Sequence, residues 1–235
     1  MTTEVSAHLI ALQSGRWFAQ LPPEFAAALL RMGRIRQLTV GQSLFLRGDP
    51  PCGLYAVLRG ALTVSGTGGR SDDARSALLT RLEPPQWFGE ISVFDGNVRS
   101  HDAVAAEPCT LLHIPNEPLQ EWLRGHPEHW HALALLVTDK LRTAFIALED
   151  AALLPAPQRL ARRLVMMAEG HGQWNADGLT RRVIALSQEQ LSQMLSISRQ
   201  TTNQILKDLE ACQLVRVQRG EVEIMDLAGL RRTYA

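Results

Sequence analysis

Between residues 44 and 114 the apolar positions come in short runs, each closed by glycine, proline or a polar cluster. Leu44-Phe45-Leu46 precedes Gly48-Asp49-Pro50, and Leu54–Leu58 precedes Arg59-Gly60 and Ala61–Val64. Ser76–Leu82, Val98–Ala106 and Thr110–Ile114 repeat the pattern. Runs of this length between turn residues predict strands of a sandwich or barrel-like roll. The polar stretch Gly66–Ser76 reads as a hairpin tip. Ahead of the strands, Pro22-Pro23-Glu24 followed by Phe25, Leu29 and Leu30 predicts a short helix with proline in its first turn.

The period then changes. From Pro127 to Leu154 the small or apolar residues Trp130, Ala134, Val137, Leu141, Ala144, Leu148 and Ala151 recur in steps of four and three. That is the seam of a heptad repeat and predicts one long helix able to pair with a second copy. Pro155-Ala156-Pro157 ends it and reads as a hinge. Gln158–Glu169 predicts another helix, carrying Arg159, Arg162 and Arg163, and Gly170–Gly178 a loop. Ser187 with Gln190 has the spacing of a capping box, and Ser198 caps a further helix over Arg199–Ala211. The turn Ser196-Ile197 between these helices gives helix-turn-helix spacing. Leu191, Leu195, Ile205, Leu206 and Leu209 hold the pair together, which leaves Arg199, Gln200, Thr201, Asn203 and Gln204 facing outward. Leu214–Gln218 and Glu221–Met225, joined by Arg219-Gly220, read as a hairpin wing.

A chain of 235 residues accommodates one or two domains. No apolar run reaches bilayer length. Met1–Leu12 lacks a basic patch followed by an apolar stretch, so no signal peptide is expected and the protein is placed in the cytoplasm. Cys52, Cys109 and Cys212 form no metal spacing, and Cys109 and Cys212 read as small core residues. The zero net charge hides an asymmetry. Residues 1–155 carry 13 Lys and Arg against 16 Asp and Glu, and residues 156–235 carry 11 against 8. The second part is thus mildly basic, which permits a nucleic-acid partner.

The densest chemistry lies in residues 89–100, where Gly89-Glu90 and Arg99-Ser100 flank a short apolar turn and a tight loop. Glu90 can accept from a ribose 2′-hydroxyl, and Arg99 can make charge-assisted bonds to a phosphate. Gly89 permits close backbone approach, and Ser100 adds a hydroxyl. The run Phe88-Gly89-Glu90…Gly96…Arg99-Ser100 resembles the phosphate-binding cassette of cyclic-nucleotide-binding domains. Residues 187–210 resemble the helix-turn-helix of the Crp–Fnr transcription factors. With the roll and long helix between, the resemblance covers nearly the whole chain.

The resemblance implies an α+β protein: an effector-binding antiparallel β-roll over 1–126, a dimerisation helix over 127–154 and a winged helix-turn-helix over 155–235. It implies a non-enzymatic, homodimeric regulator of double-stranded DNA that works with RNA polymerase, away from membranes. A cyclic nucleotide is the expected effector, cyclic AMP before cyclic GMP, on Gly89, Glu90, Arg99 and Ser100, and no metal is expected. The base end falls to Lys140, Ala144 and Phe145, although Ala144 has no side-chain hydrogen-bonding atom. DNA contacts fall to Ser198, Arg199, Gln200, Thr201, Asn203 and Gln204. Arg199, Gln200 and Gln204 take the base-reading places, where the family's catabolite activator carries Arg, Glu and Arg. A different half-site is therefore expected. Two further departures are His101, where a small residue is usual, and Ser196, where the turn usually has glycine. The alternatives are a haem-based gas sensor or effector-independent regulator of the same fold, and the regulatory subunit of an enzyme. His126, His129 and His131 beside Glu128 are the candidate metal or haem ligands, but their offsets spread them around the helix.

Overall fold

The computed structural model describes residues 8–68, 75–170 and 180–234. The chain forms two compact units whose boundary falls between Leu141 and Arg142. The first opens with helices α1 (Leu9–Gln13), α2 (Arg16–Ala19) and α3 (Pro23–Met32). Strands β1 (Arg34–Leu38), β2 (Ser43–Phe45), β3 (Gly53–Arg59), β4 (Leu62–Gly68), β5 (Arg75–Leu82) and β6 (Trp87–Phe88) follow. Helix α4 (Glu90–Asp95) precedes β7 (Asp102–Ala105), β8 (Cys109–Pro115) and α5 (Asn116–Gly125). A 3₁₀ turn at Pro127–His129 leads into the long helix α6 (Trp130–Leu153), which crosses the unit boundary. The described strands of this unit form two antiparallel sheets, in the orders β1-β8-β3-β6 and β2-β7-β4-β5.

The continuous apolar run at 54–58 has a physical reason. Side chains alternate across a strand, and β3 is buried on both faces. Leu54, Ala56 and Leu58 join a core with Phe25, Leu29, Leu119, Leu123 and Leu133 from the helices. Tyr55 and Val57 join the other core, with Phe45, Leu62, Phe88, Ala103 and Leu111 from the strands. Trp87 belongs to the helix-side core, stacked on Phe18 at 5.6 Å and edge-on to Trp17.

The second unit contains the end of α6, then α7 (Ala156–Ala168), β9 (Val183–Ile184), α8 (Gln188–Leu195) and α9 (Arg199–Ala211). It closes with the hairpin β10 (Val215–Gln218) and β11 (Glu221–Ile224) and helix α10 (Leu227–Arg232). The sheet order is β10-β11-β9. Asp150 near the end of α6 is buried and pairs with Arg162 of α7 at 2.8 Å. Burial pushes its carboxyl up, against the pull of Arg162.

The structure adjusts several boundaries. The expected strand Val98–Ala106 shortens to Asp102–Ala105, because the Arg99 backbone bonds to Gly48 and Asp49 instead of a ladder. Strand β1 was not anticipated, since Arg34-Ile-Arg-Gln-Leu is polar at most positions and pairs only at a sheet edge. Helix α7 starts two residues before Gln158, with Pro157 in its first turn, where its missing N–H costs nothing. Cys212 caps α9 at its C-terminal end and is exposed, so it is not a core residue. Of the expected hairpin tip and loop, residues 69–74 and 171–178 lie outside the described residues, as do residues 1–7 of the N-terminal stretch.

The burial of Trp87 gives a stability test. Its indole Nε1 is buried without a hydrogen-bond partner among the described residues. Trp87→Ala should lower the urea-unfolding free energy by about 3–5 kcal/mol, as large aromatic truncations do. Trp87→Phe keeps a ring and removes the unmet donor, so it should cost far less. Equal losses would show that Trp87 does not act through packing.

Candidate functional site

The 89–100 segment is built around two buried charges. Gly89, at φ +96, turns the chain from β6 into α4. A Cβ there would lie 2.7 Å from the Gly53 carbonyl oxygen and 3.1 Å from Arg99 Nη1, so only glycine fits. The turn puts Glu90 in the first turn of α4 with 2% of its surface exposed. Gly96, also left-handed, ends the helix, and the Asn97 N–H closes the loop on the Asp95 carboxylate at 2.9 Å.

Arg99 is 3% exposed. Its Nη1 donates to the Gly89 carbonyl at 2.9 Å, and its Nη2 donates to the Gly53 carbonyl at 2.6 Å and to Cys52 Sγ at 3.0 Å. The guanidinium lies 4.4 Å from the Phe45 ring centre, a cation–π distance. Its Nε–H is buried with no hydrogen-bond partner among the described residues. The backbone is pinned as firmly: Arg99 N donates to the Asp49 carbonyl and Gly48 N to the Arg99 carbonyl, both at 2.8 Å. The Asp49 carboxylate in turn accepts from Leu46 N–H at 2.8 Å.

Lys140 of α6 reaches Glu90, with Nζ 2.6 Å from Oε2. The residue assigned to the base end thus neutralises the residue assigned to the ribose, across fifty residues of sequence. Glu90 and Lys140 are together, as are Gly89 and Arg99. Ser100 is exposed, and its Oγ lies 2.8 Å from His101 Nδ1. Ala144 and Phe145 lie in the second unit, exposed on α6. Phe45, Cys52, Gly53 and Tyr55 were not foreseen as support for Arg99. The only sequence signal was Gly48-Asp49-Pro50, which read as a turn. Tyr55 lies under this group, its hydroxyl donating to Cys52 Sγ at 3.2 Å, and burial pushes its phenol well above the ordinary tyrosine range.

Trp87 and Phe88 are both core residues. His126 and His129 stack on Trp122, at 4.2 and 5.0 Å, while His131 is exposed. Among the described residues no group of three or more His, Cys, Asp or Glu could hold a metal ion.

In the second unit Ser187 and Gln190 form a reciprocal capping box at the start of α8. Ser196 takes the left-handed conformation, φ 54 and ψ 41, that ends α8. The turn is therefore made without glycine, at a cost of about 1–2 kcal/mol for the Cβ. Ser198 caps α9 by accepting from Thr201 N–H at 3.0 Å. Thr202, Ile205, Leu206 and Leu209 are buried, and Leu195 is half-buried. Arg199, Gln200, Thr201 and Gln204 are exposed, and Asn203 is half-buried. Gln204 Nε2 donates to the Asp208 carboxylate at 2.8 Å. The α9 N-terminus thus offers hydrogen-bonding side chains in the position from which a recognition helix reads base edges.

Comparison with known proteins matches the same two pieces. Residues 35–126 match the cyclic nucleotide-binding domain, and residues 158–233 match the Crp-like helix-turn-helix domain. A CRP-like cAMP-activated global transcriptional regulator of Mycobacterium tuberculosis is 28% identical over 215 residues, covering 92% of this chain and 94% of its own. The cyclic AMP receptor protein of Thermus thermophilus is 29% identical, covering 91% and 94%. The structure of FixK2 from Bradyrhizobium japonicum, 15% identical, shares the fold with a TM-score of 0.73, over 86% of this chain and 98% of that one. No described helix is long and apolar enough to cross a membrane. With both domains in order on one chain, the protein belongs to the Crp–Fnr family of DNA-binding transcription regulators, which are not enzymes.

Proposed function

We propose that the protein is a homodimeric, effector-responsive regulator whose effector is a cyclic nucleotide, cyclic AMP before cyclic GMP. The observation that carries this reading is Arg99: a buried guanidinium beside Gly89 with an unmet Nε–H. A phosphate supplies acceptor oxygens for such a donor. Glu90 supplies an acceptor for a ribose hydroxyl, and Ser100 completes the grip. The relatives described as cAMP-activated support this choice of nucleotide. Because Lys140 bonds Glu90, a ribose that takes Glu90 competes with a contact of α6. Effector binding therefore acts on the helix assigned to dimerisation. Such a switch works only if the effector binds the DNA-competent state more tightly.

The same contact favours a second reading. Glu90 is neutralised by Lys140, and Arg99 already rests on two carbonyls, so a regulator that needs no effector is chemically consistent. Nucleotide titration separates the two.

The dimer assignment rests on the apolar face of α6. Leu141, Phe145 and Leu148 are 49%, 59% and 65% exposed, and Ala144 and Ala151 lie on the same stripe. We assign residues 127–154 to pairing, 1–126 to effector binding and 155–235 to DNA, with RNA polymerase as partner and the cytoplasm as location. Arg199, Gln200 and Gln204 are assigned to base edges, and Ser198, Thr201 and Asn203 to the remaining DNA contacts.

Arg99→Ala should lose a charge-assisted contact of about 1.5–3 kcal/mol in calorimetric titration with cyclic AMP or cyclic GMP. Absence of binding by the wild type would leave the effector-independent reading. Leu141→Glu with Leu148→Glu should give monomers in sedimentation, and an unchanged dimer mass would place the interface elsewhere. Arg199→Ala should cost about 1–3 kcal/mol at the operator and relax preference at one guanine in each half-site. Selection from a random DNA pool checks it: a guanine retained at full strength would make Arg199 a phosphate contact.

A further inference from the structure

His101 follows the phosphate cassette directly, and its Nδ1 lies 2.8 Å from Ser100 Oγ. This contact bears on what Ser100 can offer a ligand. A serine hydroxyl has one proton. With a neutral imidazole protonated at Nε2, that proton goes to Nδ1, and Oγ keeps only acceptor lone pairs. An anion brings lone pairs too, so the hydroxyl then repels what it should hold. Once the ring is protonated, Nδ1–H becomes the donor and Oγ the acceptor, which frees the hydroxyl proton for an anion. The same proton adds a positive charge next to the Ser100 hydroxyl.

From this geometry we infer that His101 couples phosphate capture to proton uptake by setting the hydrogen-bonding sense of the Ser100 hydroxyl. The inference rests on the cyclic-nucleotide reading of the cassette and gives it a regulatory input.

The surroundings fix the sign. The charged groups facing His101 are Arg47, after β2, and Asp102, the first residue of β7. The β4 neighbour is Gly66, where a Cβ would lie 3.5 Å from His101 Cδ2. Burial holds the imidazole below its ordinary range, Arg47 lowers it further, and Asp102 opposes both. The Asp102 carboxylate is itself held by the Arg47 backbone N–H at 2.7 Å. Without ligand the ring is therefore neutral at physiological pH, and in its Nε2–H tautomer it engages the Ser100 proton. A bound phosphodiester is a fixed anion next to the ring and favours the imidazolium. A group that takes up a proton on binding makes binding tighten as pH falls. Ser100 and His101 are adjacent in the chain, so little else needs to move.

The test is calorimetric titration of the full-length protein with cyclic AMP and cyclic GMP at about pH 8 and about pH 5.5, which bracket imidazole titration. The wild type should bind more tightly at the lower pH, by up to about tenfold for each unit by which the ligand raises the His101 pKa. His101→Ala should bind with little change between the two. Ser100→Ala should keep only the part of the gain that comes from charge. The His101 ring resonances, followed by NMR, should titrate at higher pH with nucleotide bound than without. An equal pH dependence in wild type and His101→Ala, or an unmoved His101 titration, overturns this inference alone. No binding by the wild type at either pH overturns the effector reading and this inference with it.

Discussion

A guanidinium buried inside an apolar roll is the constraint on which the first unit depends. A charge out of water is costly unless its donors are met, and removing its partners typically costs about 3–5 kcal/mol. Arg99 meets the requirement with parts from distant places in the chain. Gly89 and Gly53 give carbonyls, Cys52 a sulfur, Phe45 a ring face, and the loop at Gly48-Asp49 holds the backbone. The start of β3, the end of β2 and the entry to α4 are thereby fixed to one side chain. The glycine at 89 is part of the same constraint, since a methyl there would press on both the Gly53 carbonyl and Arg99.

The second buried charge, Glu90, is answered from elsewhere in the first unit. Lys140 carries its cation in from α6, so the helix that bears the exposed apolar stripe is tied to the cassette by an ion pair. That pair is partly screened: the Lys140 side chain is 28% exposed while that of Glu90 is buried. Farther along the same helix, Asp150 and Arg162 join its last turns to α7 within the second unit. One helix thus carries an ion pair in each unit.

Much of this was legible in the chain. The short apolar runs gave the roll, because strand-length segments cut by glycine and proline have few other solutions. The heptad spacing gave the long helix, and the serine caps placed α8 and α9 almost to the residue, because a capping side chain acts on backbone only three positions away. Local rules of this kind can be read without the fold. The Gly-Glu…Arg-Ser spacing also singled out the segment in which Gly89 and Arg99 meet.

What only the tertiary structure decided is where the partners of those residues come from. Nothing local says that Arg99 will rest on Gly53 and Phe45, that Lys140 will reach Glu90, or that Ser100 will engage His101. Nor does the chain say that Arg34–Leu38 forms an edge strand, since its polar residues give no apolar alternation and find solvent only where the fold leaves the strand exposed. Cys212 shows the same limit from the other side: a cysteine's tendency to be buried did not survive its position at an exposed helix end. The sequence by itself determined the elements and the chemical groups, because periodicity and capping act over a few residues. The pairing of charges was left to the fold, because burial and opposite charge act through space.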